Sequence, residues 1–225
     1  MVRRYLNDRY VRMREKHRSE RLQGFPSYSQ FGEDAVVNSF LDGELGRYLD
    51  IGAGHPVRYS NTYSFYRQGW SGILVEPLAQ NAQHARDVRP RDSVVQAICG
   101  RDNGAMVEIF EYEPYEYSTT SRERVHELAQ QGHEPIGHHH VRVVSIAELL
   151  RSNGDMEVDL LSLDVEGSEW EVLQSADWSH FRPRVAVIEE WISPIAEPSG
   201  IFEFMTAHGY ELAATAGFSS IYRVV

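Results

Sequence analysis

Short apolar runs bounded by turn residues recur along this chain, with helix-patterned stretches between them. Each run is too short for a helix and too uniformly apolar for a strand wetted on one face, so the alternation describes a parallel sheet with covering helices. The pattern predicts a helix after Phe31, a strand at Arg47–Ile51 and a helix from about Asn61 to Arg67. A strand at Gly72–Val75, a helix at Leu78–Val88 and strands at Ser93–Ile98 and Ala105–Phe110 follow. Residues 111–140, rich in Glu, Tyr, Ser, Thr, Gln and His, then interrupt the alternation. They read as a lid-like insertion with a short helix near Arg122–Gln131. The order resumes with a strand at Val141–Val144, a helix at Ile146–Arg151, the strand Val158–Leu163 and a helix from about Gly167 to Gln174. After the strand Arg184–Ile188 and a helix at Gly200–His208 come two closing runs, Tyr210–Ala213 and Ser220–Val224. The turn Thr215-Ala216-Gly217 between them suggests a hairpin.

With 225 residues, 42% of them hydrophobic, the chain has material for one α/β domain with a full core, which is expected over 25–225. The first 24 residues differ from the rest. They carry eight Lys/Arg against three Asp/Glu, a charge of +5, whereas the remainder carries fourteen against thirty, or −16. Leu6, Tyr10, Met13 and His17 fall at helical spacing, so 1–24 is expected to be a basic amphipathic helix that docks on its own domain or on a second copy in a homodimer. Attachment to an anionic membrane or an acidic partner is the alternative. An acidic body repels phosphate backbones, which argues against nucleic acid as substrate. A lone cysteine, Cys99, forms no internal disulfide and reads as a small buried residue. No stretch is apolar enough to span a bilayer or to form a signal peptide core, which makes a reducing cytoplasm the expected compartment.

Three strand ends carry the chemistry. The first run closes in Asp50-Ile51-Gly52-Ala53-Gly54, a Gly-x-Gly turn of the kind that lets backbone approach a ligand. The third glycine of a dinucleotide fingerprint is missing, which counts against a bound pyrophosphate. About one βαβ unit later Glu76 ends the second strand, where a carboxylate accepts both hydroxyls of a ribose or, more simply, caps the next helix. In Leu163-Asp164-Val165-Glu166-Gly167 an apolar run again ends in an acidic turn. Asp164 there would hold an ammonium group, ligate a metal, receive a proton or cap the next helix.

Taken together these segments resemble the FkbM-type methyltransferases, members of the class I S-adenosylmethionine-dependent group. The resemblance rests on Tyr28-Ser29-Gln30-Phe31-Gly32-Glu33-Asp34, Leu49-Asp50-Ile51-Gly52-Ala53-Gly54-His55-Pro56, Ser60-Asn61-Thr62-Tyr63, Gly69-Trp70-Ser71-Gly72, Val75-Glu76-Pro77 and Leu163-Asp164-Val165-Glu166-Gly167. It runs over 28–190 and leaves out the basic head and the 111–140 insertion. It implies an α/β, Rossmann-like fold: a seven-stranded, mostly parallel sheet with a C-terminal antiparallel hairpin. It also implies methyl transfer from S-adenosylmethionine, typically to a hydroxyl of a sugar or natural product. By position, Asp50, Gly52 and Gly54 would line the methionine end of the cofactor and Glu76 would hold its ribose. Ile98 and Cys99 would face the adenine, and Gln30 and Asn61 would stand near the sulfonium.

An alcohol acceptor must lose its proton as the new bond forms, and a positioned His or carboxylate supplies that step. Candidates are Asp164, His55, Glu190 and, from the insertion, His139. Asp164 with Glu189 or Glu190 would make an oxygen-rich site for magnesium. The tract His138-His139-His140 reads as solvated loop, because consecutive side chains on an extended segment diverge. Two other classes stay open. A nicotinamide-dependent oxidoreductase would use the same strand-end acids, and a non-catalytic binding protein would keep the same fold.

Overall fold

The computed structural model describes residues 25–41, 43, 45–190 and 199–225. The basic helix expected over 1–24 lies outside the described residues. The strands are β1 (Arg47–Ile51), β2 (Ser71–Val75), β3 (Ser93–Val95), β4 (Ile98–Cys99), β5 (Met106–Glu111), β6 (Gly137–Val144), β7 (Leu160–Leu163), β8 (Val185–Glu189), β9 (Tyr210–Ala216) and β10 (Ser219–Val224). The helices are α1 (Glu33–Asn38), α2 (Tyr63–Arg67), α3 (Ala79–Val88), α4 (Arg122–Gln130), α5 (Ile146–Ser152), α6 (Glu169–Leu173) and α7 (Gly200–Ala207).

Seven strands form one sheet in the order β3-β2-β1-β7-β8-β10-β9. The run from β3 to β8 is parallel, and β10 is antiparallel to both β8 and β9. This is the mostly parallel, doubly wound sheet with a closing hairpin that the apolar pattern implies. The strand order reverses between β1 and β7, and a ligand crevice opens at such a switch point, outside the carboxyl ends of the strands.

Alternation along the strands separates two cores. Leu49 and Ile51 of β1 join Ile73, Val75, Leu161 and Leu163 under α5, α6 and α7. Tyr48 and Leu74 join Leu160, Val185 and Val187 under α1, α2 and α3. Because both faces are covered, the central strands must be apolar at nearly every position, and each fully buried Leu or Ile contributes about 1.5–3 kcal/mol.

The structure departs from the sequence expectations in three places. The single strand expected over Ser93–Ile98 is two: β3 stays in the main sheet, while β4 pairs with β6 in a second, three-stranded sheet of order β4-β6-β5. The expected Val141–Val144 strand begins at Gly137, because residues 137–142 pair antiparallel with β5. The histidine tract is therefore strand and not loop, with Phe110 opposite His138 and Ile109 opposite His139. The closing hairpin turns at Gly217-Phe218, and Thr215 and Ala216 remain in β9. Gly217 has φ 56, the positive value that the first position of a tight two-residue hairpin turn requires. Phe31 lies where a side chain would stand, 1.9 Å from a Cβ built on Gly217.

Candidate functional site

The turn after β1 is knit to β2. Gly52 and Ala53 N–H both donate to the Val75 carbonyl, at 3.0 and 3.1 Å, and Gly54 N–H donates to Glu76 Oε2 at 2.8 Å. Glu76 Oε1 accepts from Leu78 N–H, also at 2.8 Å. Each oxygen thus keeps a further acceptor position. Burial pushes the Glu76 carboxyl up from 4.5 to about 7, partly offset by those two N–H groups and by the Asn81 amide. Asn81 lies close enough to favour the charge, yet its Nδ2 is buried and completes no hydrogen bond of ordinary geometry among the described residues. An unsatisfied donor beside a carboxylate with spare acceptor capacity suits a hydroxylated nucleoside.

Asp50 faces the other core. It is 4% exposed, accepts from Thr62 Oγ1 at 2.5 Å and lies 4.0 Å from Arg89 Nη1. Ser162, its register partner on β7, lies near enough to favour its charge, and Asn61 Nδ2 donates to the serine oxygen at 3.3 Å. Arg89 is wholly buried. Its Nε donates to Asp92 Oδ2 at 2.7 Å and its Nη2 to Thr62 Oγ1 at 2.9 Å, while Nη1 reaches Ser60 Oγ. Tyr48 Oη completes the network on Asp92. Burial raises the Asp50 pKa, and the Arg89 charge opposes that rise.

Across the switch point, Asp164 N–H donates to the Ile51 carbonyl at 3.0 Å, which brings the turn after β7 beside the glycine turn. The buried Glu169 carboxylate shapes the new turn by accepting from Val165 N–H at 2.9 Å and from Gly167 N–H. Glu166 sits there at φ 57, unusual for a residue with a side chain. Oxygens of Asp164, Glu166 and Glu189 all lie within 4.8 Å of one another. Asp164 is reached by solvent through the crevice mouth, but the walls crowd it enough that desolvation raises its pKa. Glu189 is raised further, by burial and then by the Asp164 charge, and the two share a hydrogen bond. Two carboxyls this close share a proton, and the pair titrates as a unit. Glu189 Oε2 is buried with no hydrogen-bond partner among the described residues. Glu166 is exposed to solvent, yet crowding by neighbouring atoms first and then the charges of Asp164 and Glu169 push it up to about 7.

Several expected site residues stand elsewhere. Glu190 does not join Asp164. Its Oε2 accepts from Tyr222 Oη at 2.7 Å and its Oε1 from Ser199 Oγ, because successive side chains of a strand point to opposite faces. Glu166 takes the place in the carboxylate group that the sequence reading gave to Glu190. The available signal was Glu166 itself, a second acid two residues after Asp164 in the same Gly-ended turn. His139 lies on the small sheet with its Nδ1 2.9 Å from Glu111 Oε1. His55 Nδ1 accepts from Val57 N–H and Arg58 N–H, both at 3.1 Å. That lone pair holds a turn, and burial, Arg58 and His84 depress the ring's pKa. Ile98 packs with Leu78, Ile109, Val141 and Tyr115, whereas Cys99 is buried in the main core with its thiol pushed up to about 12. Gln30 is exposed in the segment before α1. That segment borders the crevice, because Glu33 is near enough to raise the Asp164 pKa. A separate hollow of about 400 Å³, lined in part by Arg101, Trp178 and His208, lies toward the amino ends of β8 and β9 and includes none of these acids.

No helix among the described residues is long and apolar enough to cross a membrane. The sequence matches no curated protein. Among solved structures it is similar to the methyltransferase FkbM from Methylobacillus flagellatus KT, with 14% identity and a TM-score of 0.47. That match covers 80% of this chain but 43% of the other, so this chain spans less than half of that protein's length. A methyltransferase from Geobacter sulfurreducens matches at 11% identity and a TM-score of 0.47, covering 99% and 97% of the two chains. The O-methyltransferase from Bacillus cereus, solved in complex with SAH, matches at 12% identity and 0.43, covering 100% and 96%. The model of the methyltransferase FkbM domain matches residues 50–212, from the Asp50 turn through the carboxylate crevice into β9, and the chain belongs to that family.

Proposed function

We propose that this protein transfers a methyl group from S-adenosylmethionine to a hydroxyl oxygen of a sugar or natural-product small molecule. The observation that carries the reading is Glu76, whose two oxygens are fixed by Gly54 and Leu78 N–H and retain acceptor positions for two ribose hydroxyls. The spent N–H groups of Gly52, Ala53 and Gly54 favour it over a nicotinamide dinucleotide, because a pyrophosphate cradle needs such donors free.

S-adenosylmethionine, when bound, supplies an electrophilic methyl group with a neutral thioether as leaving group. The chain's own task is to align the acceptor, exclude water and remove one proton. Glu76 holds the ribose, Ile98 stands at the adenine side, and Asn61, pinned to Ser162, stands with Gln30 toward the reacting carbon. Asp164 takes the acceptor proton, with protonated Glu189 beside it to hydrogen-bond the same oxygen. His55, His139 and Glu190 serve the fold, since His55 Nδ1, His139 Nδ1 and both Glu190 oxygens are engaged by structural partners.

Calorimetry with S-adenosylhomocysteine tests the cofactor half. Glu76→Ala removes two hydrogen bonds to a charged acceptor, each worth about 1.5–3 kcal/mol, so affinity should fall at least tenfold, by that order of magnitude. An unchanged affinity in a folded variant would refute the assignment. Methyl transfer to a panel of hydroxylated acceptors, read by mass, tests the oxygen half.

A further inference from the structure

The 111–140 insertion does more than interrupt the sheet pattern. Phe110 and Thr119 exchange two backbone hydrogen bonds, at 2.9 and 3.0 Å, and so pinch residues 111–118 into a closed excursion. Inside it, Tyr112 N–H donates to Ser118 Oγ at 3.1 Å, and Tyr117 N–H donates to the Pro114 carbonyl at 3.1 Å, forming a single 3₁₀ turn over Tyr115–Tyr117. The geometry is that of a braced loop whose tip is Tyr115.

That tip lands on the glycine turn. A Cβ built on Gly54 would stand 3.4 Å from Tyr115 Cε2 and 3.4 Å from its Oη, so the ring edge lies against the bare α-carbon. Backbone N–H of His55 and the Glu76 carboxyl are both near enough to act on that phenol. The ring also packs against the cluster of Leu78, Ile109 and Val141, which Ile98 joins as well. Half-buried, it bridges the cofactor turn and an apolar cluster that contains the end of β4.

We infer that Tyr115 is a cofactor-binding residue, the aromatic wall of the nucleoside pocket between Glu76 and Ile98, and that the excursion 111–118 belongs to the cofactor site. This rests on the reading of Glu76 as the ribose ligand. A nucleoside with its ribose on Glu76 has Gly54 beneath it and the Tyr115 ring beside it. The apolar cluster of Leu78, Ile98 and Tyr115 then offers a heteroaromatic base the π-face and dry surroundings that stacking requires.

The experiment is calorimetry of the full chain with two probes, S-adenosylhomocysteine and 5′-methylthioadenosine, which lacks the amino-acid half. Tyr115→Ala should weaken both probes by the same factor, roughly tenfold or more, the size of one lost aromatic stack. Tyr115→Phe keeps the ring and should stay within about threefold, a smaller loss than one neutral hydrogen bond typically carries. Tyr115→Leu keeps apolar bulk against Ile98, which guards against a folding defect, and should still lose most of the affinity. Equal binding by wild type, Ala and Leu variants overturns the inference and leaves the Glu76 reading intact. A loss seen with S-adenosylhomocysteine but not with the nucleoside probe also overturns it, by moving Tyr115 to the amino-acid half. Failure of the wild type to bind either probe overturns the Glu76 reading and this one together.

Discussion

A Cβ on Gly52 would stand 1.7 Å from the carbonyl oxygen of Asp164, so the turns after β1 and β7 meet through bare backbone. Gly52 also has φ 78, in the left-handed region that a side chain disfavours. Gly52→Ala therefore meets two costs at once, a clash with backbone that has no rotamer to move and a strained dihedral. The variant should lose at least about 3 kcal/mol of stability in urea unfolding, well beyond an ordinary surface change. By the same displacement it should bind S-adenosylhomocysteine poorly. A stability within about 0.5 kcal/mol of wild type would show that the two turns are free to part.

Glu76 gives the protein a pH dependence of known sign. Its carboxyl is raised by burial from 4.5 to about 7, so the folded state holds a proton that the unfolded chain has already released over that interval. Stability from this group is therefore highest below about pH 4.5, falls as pH rises and levels off above about 7. Cofactor affinity runs the other way, because the ionised form is the better acceptor of ribose hydroxyls. Between pH 6 and 8, on either side of that value of about 7, the affinity for S-adenosylhomocysteine should rise in the wild type and stay flat in Glu76→Gln. Calorimetry at three pH values decides it; a rise that persists in the Gln variant would assign the titration to another group.

Among the described residues Arg89 is the one buried cation in an otherwise acidic interior, and its removal should be felt in two ways. Arg89→Met keeps the volume but leaves Asp50 and Asp92 without their counter-charge and removes the guanidinium donors to Ser60 Oγ and Thr62 Oγ1. Breaking a buried ion pair from one side costs about 3–5 kcal/mol, which should lower the melting temperature by several degrees or more. The Pro56–Thr62 loop carries Asn61, so S-adenosylhomocysteine affinity should fall as well. A variant as stable as wild type would mean that water replaces the guanidinium.

How much of this was legible in the sequence follows from which signals are local. The central strands announce themselves because burial on both faces makes them continuously apolar, and Glu76 and Asp164 are visible as acids that end such runs. Arg89 was not legible, since arginine is ordinarily exposed and its partners at positions 50, 60, 62 and 92 are assembled only by the fold. Tyr115 was hidden for the same reason: the excursion that carries it meets Gly54 some sixty positions earlier. The break between β3 and β4 was missed because an apolar run does not say which of two sheets each half joins. Parity at the end of β8 sends Glu190 away from the side that Glu189 takes, while Glu166 enters the group from the left-handed turn after β7, a conformation that no local signal announced.

Asp164 and Glu189 form the last and most consequential pair. Two carboxyls that share a hydrogen bond in a crowded crevice hold one proton between them at neutral pH, so one charge remains to act as base. Asp164→Asn keeps the shape, removes that charge and still offers Glu189 an acceptor oxygen. Folding should survive, while turnover falls by about 10²-fold or more, the customary contribution of a positioned base. Glu189→Gln should be milder, because the neutral amide still donates as the protonated acid does, so the charge stays on Asp164 and the acidic limb of the rate profile should stay near its wild-type position. The two variants together should cost little more than Asp164→Asn alone, since the residues act as a unit. Treatment of the wild type with EDTA separates the remaining role. Loss of turnover that magnesium restores would make Asp164, Glu166 and Glu189 metal ligands, whereas indifference to EDTA leaves Asp164 as the base. Wild-type turnover by Asp164→Asn on the true acceptor would exclude both roles and leave Asp164 as the residue that joins the β7 turn to β1 through its backbone.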